Sequence, residues 1–195
     1  MNLYQTPYIT KQIGRSQKLV DIPTEMLSQR IIYLGTEIND FVANSIIQQM
    51  MWLATVDTKD IDLYIQSPGG SVYAGLSIKD CIDILDKKGI KVNTIGTGLV
   101  ASMGAYILSA GTGDRKVTKN CRIMIHSVSS GSRGTIHDME VDFNESKYLN
   151  DSLMVDIANF TKGKSNFEDI QKKCHRDCYL SPDEAIAMGL IDGKI

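Results

Sequence analysis

A serine stands between a predicted strand and a predicted helix, where its hydroxyl could act as a nucleophile. Ser102 follows the small and apolar residues of segment 96–101 and precedes Met103-Gly104-Ala105. Amide groups at a helix start point along its axis, and the helix dipole favours negative charge that develops there. The segment therefore fits a nucleophile beside an oxyanion hole. The alternative is a helix whose small residues let it pack closely on a neighbour, which is what small residues usually serve.

Two other residues have the chemistry to assist a serine. His126 ends the apolar segment 121–125, so we expect it at a sheet edge or in a cleft. A histidine within about 3 Å of the hydroxyl can act as general base; the alternative is a histidine of the core or its rim. Asp177 precedes the apolar run 178–180, which predicts a half-buried carboxylate with a hydrogen-bonding partner. Spacing does not select it among the carboxylates, and a salt bridge to an arginine is the alternative.

A glycine-rich turn follows a predicted strand at Ser67-Pro68-Gly69-Gly70-Ser71. Two successive glycines let a backbone approach a ligand closely. The turn is not a phosphate loop, because no Gly-Lys-Ser or Gly-Lys-Thr follows it. A tight turn without a ligand is the other interpretation.

The elements that would position these residues alternate between strand and helix. Strands are predicted at 30–35, 61–65, 92–96 and 121–126, and helices at 39–54, 71–88, 102–110 and 137–160, from apolar periodicity and turn residues. Asn39 is the predicted N-cap of the first helix. Ser165 with Glu168 and Ser181 with Glu184 fit capping boxes that begin two further helices. The pattern predicts one α/β domain with a long projecting helix, preceded by a polar arm over residues 1–20.

Composition indicates which classes of partner are not expected to bind and in which cellular compartment we expect the protein. The 195 residues carry 21 basic and 23 acidic side chains, a net charge of −2, which gives no reason to expect nucleic acid or an acidic membrane as partner. The four cysteines form no CxxC pair; Cys174 and Cys178 flank His175, but buried free cysteine is the expectation rather than a metal site. With neither a signal peptide nor an apolar run of 18 residues, we expect a reduced, cytoplasmic protein.

Taken together, these segments resemble the ClpP family of serine peptidases. The matching segments are Leu63–Val72, Ala101–Ala105, Ile123–His126, Arg176-Asp177, Ser181–Ala185 and Gly189–Asp192. Each is weak alone, but all occur in the family's order with nearly its spacing, and the likeness runs from about residue 8 to the end.

The resemblance assigns a role to each candidate residue. It makes Ser102 the nucleophile, His126 the general base and Asp177 the residue that orients the histidine. The backbone amides of Gly70 and Met103 would form the oxyanion hole, in which one donor is typically worth about 3 kcal/mol of the barrier. No cofactor or metal is implied for this subunit.

The resemblance also implies an architecture and partners. It predicts a crotonase-like α/β fold over 21–195 with a protruding strand-helix handle at about 127–162, and an axial arm at 1–20. Members form heptameric rings that pair into a tetradecamer, a closed chamber that cleaves unfolded polypeptides. A separate AAA+ Clp ATPase uses the ATP, and this chain has no Walker motif of its own.

Several positions depart from the family pattern. Docking sites for the ATPase are usually rimmed by aromatic residues; three such places are Asp62, Ile84 and Lys116 here, while Tyr64 is retained. We therefore expect a non-standard ATPase partner, because loss of an apolar anchor weakens docking by about 1–3 kcal/mol per side chain. The connector 86–90 is longer than usual.

Two departures lie near the predicted site. Ser127-Val128 replaces the usual Gln-Pro after the histidine, and His175 replaces an acid that, with Arg176, contacts the other ring. A protonated His175 would repel an arginine, so ring pairing is expected to vary with pH. Two alternatives remain open: a ring-building paralogue active only in mixed rings, and a crotonase-fold enzyme acting on acyl-CoA.

Overall fold

The structure, a computed structural model, describes residues 7–195 as nine strands and seven helices. The strands are β1 Tyr8–Ile13, β2 Ser16–Asp21, β3 Ile31–Leu34, β4 Ile61–Ser67, β5 Val92–Ala101, β6 Arg115–Val117, β7 Arg122–Ile125, β8 Cys178–Leu180 and β9 Gly193–Lys194. The helices are α1 Ile22–Ser28, α2 Asp40–Val56, α3 Val72–Lys87, α4 Met103–Ser109, α5 Ile136–Phe160, α6 Phe167–Cys174 and α7 Pro182–Met188. The predicted α/β class is confirmed.

A mostly parallel sheet forms the centre of the molecule. Its main path runs β3-β4-β5-β6-β9; β7 also pairs with β5, and β8 joins β7 antiparallel. Alternate β4 residues are fully buried, namely Ile61, Leu63 and Ile65. Helix α4 is buried along its whole length and contacts β4, β5 and β7, so the candidate serine begins a helix fixed against the core.

Strand β5 is longer than the sequence predicted. The prediction ended it at Gly96, but the strand continues to Ala101. Its first half pairs with β6 and its second half, Leu99–Ala101, pairs in parallel with Arg122–Met124 of β7. The extension depends on this distant partner strand, which local periodicity does not reveal.

The helix caps agree with the sequence at two of three places. Asn39 Oδ1 accepts from the Val42 amide at 3.0 Å, and Ser181 and Glu184 form the expected capping box. The predicted box of Ser165 and Glu168 is wrong, because Asn166 caps α6. Ser165 is instead buried, and its hydroxyl donates to the Met188 carbonyl at 3.0 Å.

The predicted arm and the predicted handle both differ in part from expectation. Within the predicted arm, residues 8–21 form the β1–β2 hairpin, and Lys11 of that hairpin pairs with Glu25 at 2.7 Å; residues 1–6 of the arm lie outside the described residues. The segment 127–135, predicted as the strand of the handle, has no strand pairing in the described chain. A strand needs a neighbouring strand to bond its backbone, whereas the long handle helix is present as α5.

Arg115 ties the ends of two helices to the C-terminal segment. Its side chain is 2% exposed and binds Asp192 through two hydrogen bonds of 2.9 and 2.6 Å. It also donates to the carbonyls of Ser109 and Phe160, at the last residues of α4 and α5. The guanidinium and the nearby Lys162 hold the pKa of Asp192 far below its usual range.

Over residues 7–195, no helix is long and apolar enough to cross a membrane.

Candidate active site

Ser102 lies at the junction of β5 and α4 with an unusual backbone conformation. Its φ is 55° and its ψ is −125°, a region that non-glycine residues rarely occupy and that costs of order 1–3 kcal/mol. The Ser102 amide donates to the Met124 carbonyl of β7 at 2.8 Å, which fixes this turn. The side chain does not cap the helix, so its hydroxyl is free for another contact.

That contact is with His126. Ser102 Oγ lies 2.8 Å from His126 Nε2, within hydrogen-bond distance. The parallel register of β5 and β7 places Ala101 opposite Met124, and parallel strands end at the same edge of a sheet. Both side chains leave their strands at that edge and are half-buried.

Asp177 lies on the other side of the histidine ring. Its Oδ1 is 3.3 Å from His126 Nδ1, and the antiparallel pair of Ile125 and Cys178 brings the two strands together. Among the described residues its ion-pair partner is the histidine rather than an arginine. The predicted half-burial is wrong, because the Asp177 side chain is 61% exposed in the turn that follows α6.

Two backbone amides beside the serine belong to different elements. The backbone of Ile38 bonds to the residues on both sides of Gly70. The Ile38 amide donates to the Gly69 carbonyl, and the Ile38 carbonyl accepts from the Ser71 amide. This leaves the Gly70 amide without an acceptor among the described residues, and the first helical amide, of Met103, has none either. Gly70 and Met103 line the same cavity as Ser102.

The cavity beside the serine has a volume of about 240 Å³ and mainly apolar walls. Helix α5 supplies Leu153, Met154 and Ile157, whose spacing places them on one face of the helix. Sequence analysis did not assign these residues to the site, although their periodicity marks a buried face. Asn150 was also missed; its side-chain oxygen accepts from the Val128 amide at 3.0 Å and holds the loop after the histidine.

Three other titratable groups in or near the core have raised pKa values. Burial and the carboxylate of Asp156, which accepts from the Tyr106 hydroxyl at 2.6 Å, raise the pKa of Tyr106. Burial raises the pKa of Cys174 to about 12 and that of Cys121 to about 11, so both thiols stay protonated near neutral pH. No cluster of metal-ligating side chains occurs in the part of the chain that the structure describes.

The residues predicted to rim a docking surface lie away from this cavity. Asp62 and Tyr64 are half-buried on β4, and Asp62 accepts from the Asn93 amide group at 2.8 Å. Lys116 of β6 pairs with Asp114 at 2.6 Å. Ile84 is 45% exposed on α3. Asp62 and Lys116 are therefore engaged in polar contacts with neighbouring residues.

Comparison with known proteins identifies close relatives over nearly the whole chain. A family model described as Clp protease matches residues 14–195. The chain is 40% identical over 188 residues to ATP-dependent Clp protease proteolytic subunit 1 of Prochlorococcus marinus (strain MIT 9312), covering 95% of this chain and 94% of that protein. It is also 40% identical over 191 residues to ATP-dependent Clp protease proteolytic subunit 2 of Parasynechococcus marenigrum (strain WH8102), covering 97% of this chain and 94% of that protein.

Proposed function

The chain belongs to the Clp protease family, and we propose that it is a serine endopeptidase, the proteolytic subunit of an ATP-dependent Clp protease. Ser102 is the nucleophile, His126 the general base and Asp177 the group that orients the histidine. The observation that carries the assignment is the 2.8 Å contact of Ser102 Oγ with His126 Nε2. A neutral histidine that donates through Nδ1 to Asp177 leaves Nε2 free to accept the serine proton.

The reaction follows from this arrangement. His126 takes the proton as Ser102 Oγ attacks the peptide carbonyl carbon. The tetrahedral oxyanion accepts hydrogen bonds from the amides of Gly70 and Met103. Collapse of the intermediate breaks the C–N bond, and the histidine gives its proton to the leaving amine. Water, activated by the same histidine, then hydrolyses the acyl-enzyme and frees the serine.

The cavity beside Ser102 determines which side chain precedes the cleaved bond. Its walls of Leu153, Met154 and Ile157 favour an apolar side chain, because burial stabilises by about 25 cal/mol per Å² of apolar surface. A volume of about 240 Å³ accommodates leucine, methionine or phenylalanine. No cofactor takes part in this chemistry.

Assembly into paired heptameric rings is a further part of the proposal. The handle, residues 127–162, carries apolar side chains that are at least two-thirds exposed in the single chain, namely Ile136, Val141, Phe143 and Tyr148. Exposed apolar clusters mark surfaces that another chain covers. Residues 1–20, including the β1–β2 hairpin, would form the axial arm, and residues 21–195 the peptidase domain.

Substrate delivery requires a partner. The names of the relatives call them subunits of an ATP-dependent protease, and we assign the ATP to a separate AAA+ Clp ATPase that unfolds and feeds polypeptides. The polar contacts of Asp62 and Lys116 support a non-standard ATPase surface. The free thiols of all four cysteines agree with a cytoplasmic location.

Labelling with a fluorophosphonate tests the assignment of the nucleophile. The assembled wild type is expected to react and to lose peptide hydrolysis in parallel, whereas Ser102→Ala does neither. Ser16→Ala, a change of an exposed serine in the hairpin, serves as the control and should label fully. An assembled wild type that neither labels nor cleaves peptides would contradict the proposal, and labelling only after mixing with a second subunit would favour the mixed-ring alternative.

A further inference from the structure

The residue after the general base makes two bonds to a single acceptor. The Ser127 amide and the Ser127 hydroxyl both donate to the Cys174 carbonyl, each at 2.9 Å. Cys174 is the last residue of α6. Carbonyls in the last turn of a helix lack an intrahelical partner, so this oxygen is available to an outside donor, and it receives two from one residue.

The position of this acceptor relates it to Asp177. Only His175 and Arg176 separate Cys174 from Asp177, and Cys178, the next residue, pairs with Ile125 of β7. The turn is therefore attached on both sides of the histidine: Ile125 binds it before His126, and Ser127 binds it after. These two attachments lie on either side of Asp177 along the chain.

Within residues 7–195, the Asp177 carboxylate has one polar contact, with His126. Its side chain is 61% exposed, and its contact with His126 Nδ1 is 3.3 Å, longer than the 2.7–2.9 Å of a strong charge-assisted hydrogen bond. A carboxylate on an exposed turn depends on the backbone of that turn for its position. On the side of α6, the Ser127 amide and hydroxyl bind the carbonyl at the start of this turn.

We propose that Ser127 is a positioning residue of the catalytic triad. Its hydroxyl, through the Cys174 carbonyl, holds the turn that carries Asp177 against His126 and so keeps the imidazole aligned for Ser102. Ser127 touches neither the scissile bond nor the oxyanion donors in this role. The inference rests on the proposed function, because it requires Asp177 to orient the histidine.

A pair of variants of equal shape isolates the hydroxyl. Ser127→Thr keeps the donor and Ser127→Val removes it, with nearly the same volume. We expect Ser127→Val to lower kcat about 3- to 10-fold, the scale of one neutral hydrogen bond, with KM unchanged. Ser127→Thr should retain kcat. Ser132→Ala is the matched control, since it removes a hydroxyl bond to Asp142 from the same loop and should leave kcat unchanged.

Ser127 also lines the cavity, so the test must separate positioning from substrate binding. A small fluorophosphonate without a side chain for the cavity reports the reactivity of Ser102 alone. Its rate should fall in Ser127→Val by the same factor as kcat. In an Asp177→Ala background the Val substitution should have no further effect, because the carboxylate that it positions is gone.

The outcomes separate the two proposals. Equal kcat and labelling rate in the Thr and Val variants would overturn the role of Ser127, as would an undiminished Val effect in the Asp177→Ala background. In both cases an active wild type and an inactive Ser102→Ala would leave the proposed function intact. A Ser102→Ala variant as active as the wild type would overturn the proposed function itself.

Discussion

Gly69 lies so close to Ser102 that a β-carbon added to it would stand 2.6 Å from the Ser102 β-carbon. The same atom would lie 2.8 Å from the Ala101 carbonyl oxygen and 3.1 Å from the Met103 amide nitrogen. Gly69 also has a φ of 96°, which an L-residue rarely adopts. The glycine turn after β4 and the start of α4 therefore form one unit, with the amide of Gly70 next in the chain.

Gly69→Ala is expected to impair catalysis without removing any reactive group. The added methyl must displace Ser102 or the Met103 amide, and loss of one aligned oxyanion donor costs about 10²- to 10³-fold in kcat. Peptide hydrolysis by the assembled variant measures this. Gly131→Ala is the control, because a β-carbon there meets nothing within 4 Å. An assembled Gly69→Ala protein with wild-type kcat would contradict the described packing.

The two partners of Ser102 should differ in importance. His126 is 2.8 Å from the hydroxyl, while Asp177 acts through a contact of 3.3 Å and is 61% exposed. We expect His126→Ala to lower kcat as far as Ser102→Ala does, and Asp177→Ala to be about 10- to 100-fold less damaging, the asymmetry typical of serine triads. Steady-state peptide hydrolysis measures both. Equal losses of kcat in His126→Ala and Asp177→Ala would contradict this expectation and would show that Asp177 is as important as His126 despite its exposure.

Filling the apolar cavity should change substrate preference. Leu153→Trp places a larger ring among the side chains that line it, so kcat/KM for peptides with leucine or phenylalanine before the cleaved bond should fall about 10- to 100-fold. Peptides with alanine there should be affected less. Val155→Trp, on an exposed position of the same helix, is the control. A uniform loss for all peptides would indicate a general disturbance rather than a change of specificity.

Stability should depend on the pair formed by the buried Arg115 and the half-buried Asp192. Asp192→Ala leaves a guanidinium that is 2% exposed without its carboxylate, and breaking such a pair costs about 3 kcal/mol. Lys162→Ala removes the exposed second partner of Asp192 and should cost less than about 0.5 kcal/mol. Urea unfolding at matched protein concentration measures both. Similar destabilisation by the two variants would contradict the role given to Arg115.

This stabilisation should also depend on pH in a defined direction. The pKa of Asp192 is lowered in the folded state, so the folded chain binds its proton less readily than the unfolded chain does. The contribution is present above the unfolded pKa of about 4 and decreases as pH falls below it. The difference in unfolding free energy between wild type and Asp192→Asn is therefore expected to shrink between pH 5 and pH 3. A difference that grows on acidification would contradict the assignment.

Much of the fold could be predicted because it depends on local pattern. The buried alternation of β4 and the caps at Asn39 and Ser181 involve neighbours within a few residues. The cap of α6 was predicted wrongly because Ser165 has a distant partner, the Met188 carbonyl. The end of β5 was missed for the same reason, since its last residues pair with β7.

Residue types and their order in the chain indicate which residues carry the chemistry: a serine at a helix start, a histidine at a strand end, an aspartate and two adjacent glycines. How these residues meet depends on the tertiary structure. Ser102 has a positive φ and its amide bonds to the Met124 carbonyl of β7, and Asp177 lies exposed in the turn after α6, beside the carbonyl that Ser127 binds. These geometries depend on hydrogen bonds between strands and helices far apart in the chain, and a local sequence pattern contains no information about such distances.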